Sequence, residues 1–162
     1  MLQDFEGYSS FENDSHRNSF LLSITLMYIF FLVLAVLSPY RFEFSLKAIE
    51  QKILYQTNWI PFRNQLGMRN IEMSFWLLRD VGAFIPFGLL STFCMRVVWP
   101  DLSRGYVISM VALSGVLFAI FLEFLKTTGV GRYGDVTVVM LACLGCIIGS
   151  VFFRFLSRSN RV

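Results

Sequence analysis

The residues best suited to chemistry are a few charged side chains at the ends of long apolar segments. Glu123 and Lys126 are three positions apart, so on a helix they share one face and can pair. Arg132 and Asp135 have the same spacing and stand among glycines, which permit either close approach to a ligand or simply a tight turn. A guanidinium is a planar fork suited to phosphate or carboxylate, and a partly buried carboxylate can serve as a general acid or base.

Other kinds of chemistry have little support in the sequence. His16 is the only histidine, so a histidine-based metal site or catalytic triad is not expected, and we predict neither a metal nor a cofactor. Cys143 and Cys146 have the spacing of a redox motif, but they lie in an apolar segment without a basic neighbour and are better explained as packing residues. The net charge of +3 is small and divided between segments, which argues against nucleic acid as a partner.

The composition around these residues is typical of an integral membrane protein. Of the 162 residues 56% are hydrophobic and 15% are charged, against roughly 45–50% and about 25% in an ordinary soluble domain. A helix needs roughly 20 apolar residues to cross the hydrocarbon core of a bilayer. The charge-poor intervals predict four spans, over residues 20–38, 76–98, 105–124 and 136–153.

The predicted fold class is therefore all-α, a bundle of four transmembrane helices in one domain over residues 20–153. A flexible polar tail, 1–19, precedes this domain and a basic tail, 154–162, follows it. In the first loop, residues 44–56 place apolar side chains on one side and polar ones, Lys52 among them, on the other. This pattern predicts an amphipathic helix that lies in the membrane interface or caps the bundle.

Four spans put both termini on one side of the membrane and six ionisable residues near helix ends on the other. Ionisable groups at helix ends can be snorkelling anchors or can mark a functional site. Basic residues close to the helix ends on the terminal side favour cytoplasmic termini. The residues that topology brings to the opposite face are Arg79, Asp80, Glu123, Lys126, Arg132 and Asp135, with Asn58 of the first loop beside them.

The same segments carry a family resemblance. Residues 79–88, RDVGAFIPFG, resemble the N-x-x-x-F-x-P-F-G segment of the VanZ-like family, and 58–62, NWIPF, are similar to its N-x-x-P-F. EFLK at 123–126, followed by GRYGD at 131–135, resembles its E-x-x-Q … G-R-x-x-D pattern. GCIIG at 145–149 matches its closing G-a-x-x-G.

Several family positions differ in this chain. Glu123, Arg132 and Asp135 carry over, whereas Asp80 replaces an Asn and Lys126 replaces a Gln. Val138 and Ala142 stand where the family has a second acidic residue and an Asn. The pattern is that of a divergent member with an altered ligand or activity.

The resemblance implies a small multi-pass protein of the bacterial inner membrane, from a family named for an accessory protein of glycopeptide resistance. The resemblance does not identify a reaction. The charge cluster favours binding of an anionic lipid-linked or glycan intermediate, such as polyprenyl phosphate, in contact with membrane lipids. The alternatives are an enzyme with Glu123 and Asp135 as acid and base, and a structural subunit that meets an envelope-complex partner through Gly145-x-x-x-Gly149.

Overall fold

The structure is a computed structural model that describes the backbone of residues 3–38, 41–63 and 69–159 and the side chains of 19–38, 41–63 and 69–157. Within these ranges the chain is helical, apart from loops and two isolated β-bridges. A π-helical turn, Lys52–Gln56, continues the second helix. The helices are α1 (Gln3–Leu37), α2 (Leu46–Gln51), α3 (Asn70–Val98), α4 (Arg104–Thr127) and α5 (Val136–Ser159).

Among the described residues, four helices are long and apolar enough to span a membrane. They are Ser19–Leu37 within α1, the whole of α3, the whole of α4, and Val136–Ser157 within α5. A helix satisfies its backbone polar groups internally, as the hydrocarbon core requires. The predicted fold class, an all-α membrane bundle with four spans, is confirmed.

The helix ends differ from those expected from the sequence. α3 begins at Asn70, before the predicted start at 76, with acidic Glu72 in its first turn, where the helix dipole favours negative charge. α1 begins at Gln3 and α5 ends at Ser159, so both helices extend into the segments interpreted as tails. Neither segment contains a proline to stop a helix. Residues 1, 2 and 160–162 of those segments lie outside the described residues.

The bundle is centred on the contact between α3 and α5, which is made through glycines. A Cβ atom on Gly149 would lie 2.1 Å from the Ile85 carbonyl oxygen, and one on Gly145 would lie 2.5 Å from that of Val81. Only glycine permits such an approach of two backbones. The Gly145-x-x-x-Gly149 motif is therefore used for packing inside the bundle.

α1 lies at the edge of the bundle. The Tyr28 hydroxyl donates a hydrogen bond to the Ala83 carbonyl oxygen of α3. From Ser19 to Leu37 much of α1 is uncovered, with side chains such as Phe20 and Phe30 at least 60% exposed. In a membrane, lipid tails would cover this face.

The first and third loops are joined by backbone hydrogen bonds. Phe42 and Gly129 form an antiparallel bridge, and Asn58 and Asp135 form a parallel one. The Asn58 N–H donates to Gly134 at 3.0 Å, and the Asn58 carbonyl accepts from Val136 at 3.1 Å. The first loop is thereby fixed against the start of α5.

Lys52 corrects the expectation for the first-loop helix. Instead of facing solvent with the polar residues it is buried, and its Nζ donates to the Gly129 carbonyl at 3.0 Å and to Glu43 at 3.1 Å. Lys52 follows the partly buried Ala48 and Ile49 by four and three residues, so the helix places it on their covered side, where these two acceptors satisfy its ammonium group. Phe44 and Leu46 are largely exposed, and the interfacial position of α2 remains a prediction.

Candidate functional site

A cavity of about 330 Å³ lies between α1, α3 and α4, near the membrane face opposite the termini. We refer to it as the charged cavity. Its charged lining is Arg79, Asp80, Glu123, Lys126 and Arg132. Its apolar lining is Leu32, Ala35, Val36, Ala83, Phe84, Ala119, Leu122 and Val138. Five of the seven residues predicted for the site therefore share one space.

Glu123 and Lys126 occupy the last two turns of α4 and form a close ion pair. Their side chains meet at 2.6 Å, between Lys126 Nζ and Glu123 Oε1. The other carboxylate oxygen of Glu123 accepts the backbone N–H of Asp135 at 2.8 Å. Both oxygens of this buried carboxylate are thus engaged in holding α4 and the start of α5 together.

Asp135 and Asn58 lie behind the cavity wall rather than in it. Asp135 Oδ1 accepts the backbone N–H of Thr137 at 2.9 Å, which makes Asp135 the N-cap of α5. The same oxygen accepts a hydrogen bond from Asn58 Nδ2 at 3.3 Å. Both residues support the framework of the site, Asp135 by its backbone contact with Glu123 and Asn58 by its contact with Asp135.

Arg132 lines the cavity and is anchored to α1. Its Nη1 donates to the carbonyl oxygens of Val36 and Ser38 at the C-terminal end of that helix, where a cation is favoured. Within the described residues its Nε and Nη2 have no hydrogen-bond partner. The guanidinium is therefore held in place with donors available for a ligand.

Asp80 has a carboxylate oxygen that can still accept a hydrogen bond. Its Oδ1 pairs with Nε of Arg79 at 2.8 Å, and the Arg79 side chain is 68% exposed. Its Oδ2 is buried and has no hydrogen-bond partner among the described residues. A buried carboxylate oxygen needs a donor, and a ligand hydroxyl or a water molecule can supply one.

Two supporting residues were not identified from the sequence. Thr137 is fully buried, and its hydroxyl accepts the backbone N–H of Phe62 at 2.9 Å, which fixes the first loop from the α5 side. Its place two residues after an N-cap Asp was an available signal. For Lys52 the signal was its spacing of four residues from Ala48 and three from Ile49, which puts the three side chains on one side of the helix.

The charged cavity can bind an anion through its cations, and it can accept one further hydrogen bond. Three cations face two carboxylates, and the oxygens of Glu123 are already occupied. In the described part of the chain no group of three or more His, Cys, Asp or Glu could hold a metal ion. The lining suits a ligand with a negative group, a hydroxyl and an apolar portion.

These features define a class of small helical membrane protein that has four spans and a charged cavity at one end of the bundle. The family model described as VanZ/LLP1 matches residues 21–157, most of the chain. The chain belongs to this VanZ-like family, so the family predicted from the sequence is confirmed. Comparisons with curated proteins and with solved structures found no match.

Proposed function

We propose that this VanZ-like protein binds an anionic lipid-linked or glycan intermediate, such as polyprenyl phosphate, in the charged cavity. The observation that supports the proposal is that one continuous lining combines cations, an open carboxylate oxygen and apolar side chains. Its volume of about 330 Å³ is within the roughly 300–1,000 Å³ of small-molecule sites.

The cations would bind the phosphate. Nε and Nη2 of Arg132 offer the parallel donors that suit a bidentate contact with phosphate oxygens. Lys126 adds a mobile ammonium group, and the ion pair with Glu123 keeps it at the cavity when no ligand is bound. Arg79 stands at the exposed edge, where it can attract an anion from solution.

Asp80 would distinguish a headgroup with hydroxyls from a bare phosphate. Its unpartnered Oδ2 can accept a hydrogen bond that a sugar hydroxyl or a protonated phosphate donates. A neutral hydrocarbon ligand would leave both this oxygen and the Arg132 donors unsatisfied, at a cost of about 1–3 kcal/mol each.

The apolar lining would hold the first part of the isoprenoid chain. Leu32 and Val36 of α1 and Phe84 of α3 belong to this apolar lining. Because α1 lies at the edge of the bundle, a hydrocarbon chain can pass from this lining into the surrounding bilayer. The ligand would thus be bound at its headgroup and remain partly in the membrane.

The proposed orientation places the charged cavity at the outer side of the bacterial inner membrane, with both termini in the cytoplasm. This is where polysaccharide and cell-wall intermediates are used, so the proposed role is in envelope or polysaccharide biogenesis or in glycopeptide resistance. Reporter fusions at the two termini and in the loop around Gly131 would test the orientation. A periplasmic or extracellular terminus would contradict it.

Binding can be tested with the full chain in nanodiscs of uncharged lipid. We expect saturable binding of polyprenyl phosphate and none of polyprenol. Arg132→Ala should weaken binding at least about tenfold, which corresponds to one charge-assisted hydrogen bond. Since Arg132 also anchors α1, Arg79→Gln/Lys126→Gln provides a second test that spares the anchor.

The matched control is Arg69→Gln, which removes a charge from the same membrane face outside the cavity. It should bind as the wild type does. Full binding by the folded Arg132→Ala and Arg79→Gln/Lys126→Gln variants would contradict the proposal.

One observation favours a second candidate, a membrane enzyme that acts on a sugar or phosphoryl group. The carboxylate oxygens of Glu123 are engaged, but Asp80 Oδ2 is open to act as an acid or base. If Asp80→Asn or Glu123→Gln abolished turnover of a bound lipid-linked sugar while binding was kept, the enzyme would be favoured. Loss of binding and of phenotype together would favour the binding protein.

A further inference from the structure

A second cavity, of about 550 Å³, lies at the opposite end of the bundle, near the termini. One arginine from each of three helices lines it: Arg96 near the end of α3, Arg104 at the start of α4 and Arg154 near the end of α5. We refer to it as the arginine cavity. It shares none of its described lining with the charged cavity, so it is a separate site.

The arginine cavity has uncompensated positive charge. No carboxylate is present among its described lining residues, and Asp101 of the adjacent turn is not part of that lining. Arg96 is partly engaged, since its Nη1 donates to the carbonyl oxygens of Pro100 and Leu102 at 3.2 and 2.8 Å. In the described part of the chain, Arg104 and Arg154 make no ion pair or side-chain hydrogen bond.

Arg104 lies at the N-terminal end of a helix, where a cation is not stabilised. It is the first residue of α4, and no acidic residue is present in that first turn. The N-terminal end of a helix carries partial positive charge, so an anion is favoured there and a cation is not. An anion bound in the cavity would interact favourably with the helix end and with all three guanidinium groups.

The lining also contains apolar side chains and hydroxyl groups. The apolar side chains include Val107, Ile108 and Phe153. The hydroxyls are those of Thr92 and Ser150, which are buried and 2.8 Å apart. Cations at the helix ends together with apolar lining match a phosphate group at the membrane interface that has hydrocarbon attached to it.

We propose that the arginine cavity binds a phosphate anion, in the form of the headgroup of a membrane phospholipid. The positions of the three guanidinium groups around one cavity carry the proposal, which does not depend on what the charged cavity binds. A free phosphate ion has the same chemistry without the hydrocarbon, and the experiment separates the two sources.

The test uses the full chain in nanodiscs of phosphatidylcholine, with and without phosphatidylglycerol. Native mass spectrometry would count retained phosphatidylglycerol, and thermal unfolding would measure its stabilising effect. Arg104→Gln/Arg154→Gln is the test variant, because Arg96 also holds the turn after α3. We expect about tenfold weaker phosphatidylglycerol retention, the loss of about one charge-assisted contact, with polyprenyl phosphate binding unchanged.

The control is Arg63→Gln/Arg69→Gln, which removes the same charge from exposed positions on the other face. Equal loss of retention in the test and control variants would show general charge attraction and overturn the proposal. Arg104→Lys/Arg154→Lys keeps the charge, and partial retention there with an unchanged unfolding temperature would support a site rather than a folding defect. If inorganic phosphate stabilised the protein as much as phosphatidylglycerol did, the lipid headgroup would be rejected as the ligand.

Discussion

The Glu123 carboxylate accepts a hydrogen bond from the backbone N–H of Asp135, across a distance of 2.8 Å. This bond joins the last turns of α4 to the N-cap of α5. The other oxygen of the same carboxylate holds Lys126 at 2.6 Å. One side chain therefore connects the framework of the bundle to the cations of the charged cavity.

Glu123→Ala should lower the free energy of unfolding by about 2 kcal/mol, the cost of removing hydrogen bonds to a buried charged group. It also leaves Lys126 without its ion-pair partner. Thermal or denaturant unfolding in micelles would measure the change. Glu72→Ala removes an exposed carboxylate from the first turn of α3 and should cost less than about 1 kcal/mol. Equal losses in the two variants would contradict the role of Glu123.

Asn58→Ala should loosen the first loop without removing its backbone bonds. The side chain contributes one hydrogen bond to Asp135, worth about 1 kcal/mol. Hydrogen exchange should become faster at the Val136 amide, which donates to the Asn58 carbonyl. Asn58→Asp should have a larger effect, because it places a second carboxylate beside Asp135. Unchanged exchange in both variants would contradict the contact.

Gly149→Ala should destabilise the bundle, since the new methyl group would lie 2.1 Å from the Ile85 carbonyl oxygen. Overpacking of this kind costs typically about 1–3 kcal/mol. Gly82→Ala, also in a spanning helix, would meet no atom within 4 Å. Its unfolding temperature should stay the same or rise. The difference in stability between the two variants measures how much the α3–α5 crossing depends on backbone contact.

Lys52→Met should reduce stability by about 1–2 kcal/mol, because the Gly129 carbonyl and Glu43 would both lose their donor. Lys47→Met replaces an exposed lysine of the same segment and should have little effect. Unfolding in micelles and proteolysis of the first loop would test the pair. Similar behaviour of the two variants would show that Lys52 does not hold the loops together.

Much of the fold follows from the sequence because the membrane imposes a simple length rule. Charge-poor stretches had to be helices, and four of them had to place Glu123 and Lys126 at the same end as Asp80. Helix ends were less predictable, since polar residues can continue a helix when no proline stops it. α1 therefore starts at Gln3 and α3 at Asn70.

The end of the bundle at which the charged residues lie could be predicted from the sequence, whereas their contacts could not. Topology indicated which charged residues share a face, but it does not say which atoms pair. Arg132 binds carbonyl groups of α1 instead of a carboxylate, and Asp135 caps α5. Such contacts depend on how loops cross between helices. The burial of Lys52 depends on its contacts with the Gly129 carbonyl and Glu43, which helical periodicity does not identify.

The most direct test of the central claim is the magnetic dipolar coupling between the phosphorus of bound polyprenyl phosphate and isotope-labelled arginine side-chain nitrogens. Solid-state NMR would measure it in membranes of phosphorus-free glycolipid. In the Arg79→Gln variant, which keeps Arg132 as the arginine of the described cavity lining, the account predicts a strong coupling that Arg79→Gln/Arg132→Lys removes and Arg79→Gln/Arg104→Gln/Arg154→Gln leaves in place. Absence of coupling in Arg79→Gln, or a coupling that persists in Arg79→Gln/Arg132→Lys, would contradict binding of the phosphate by Arg132.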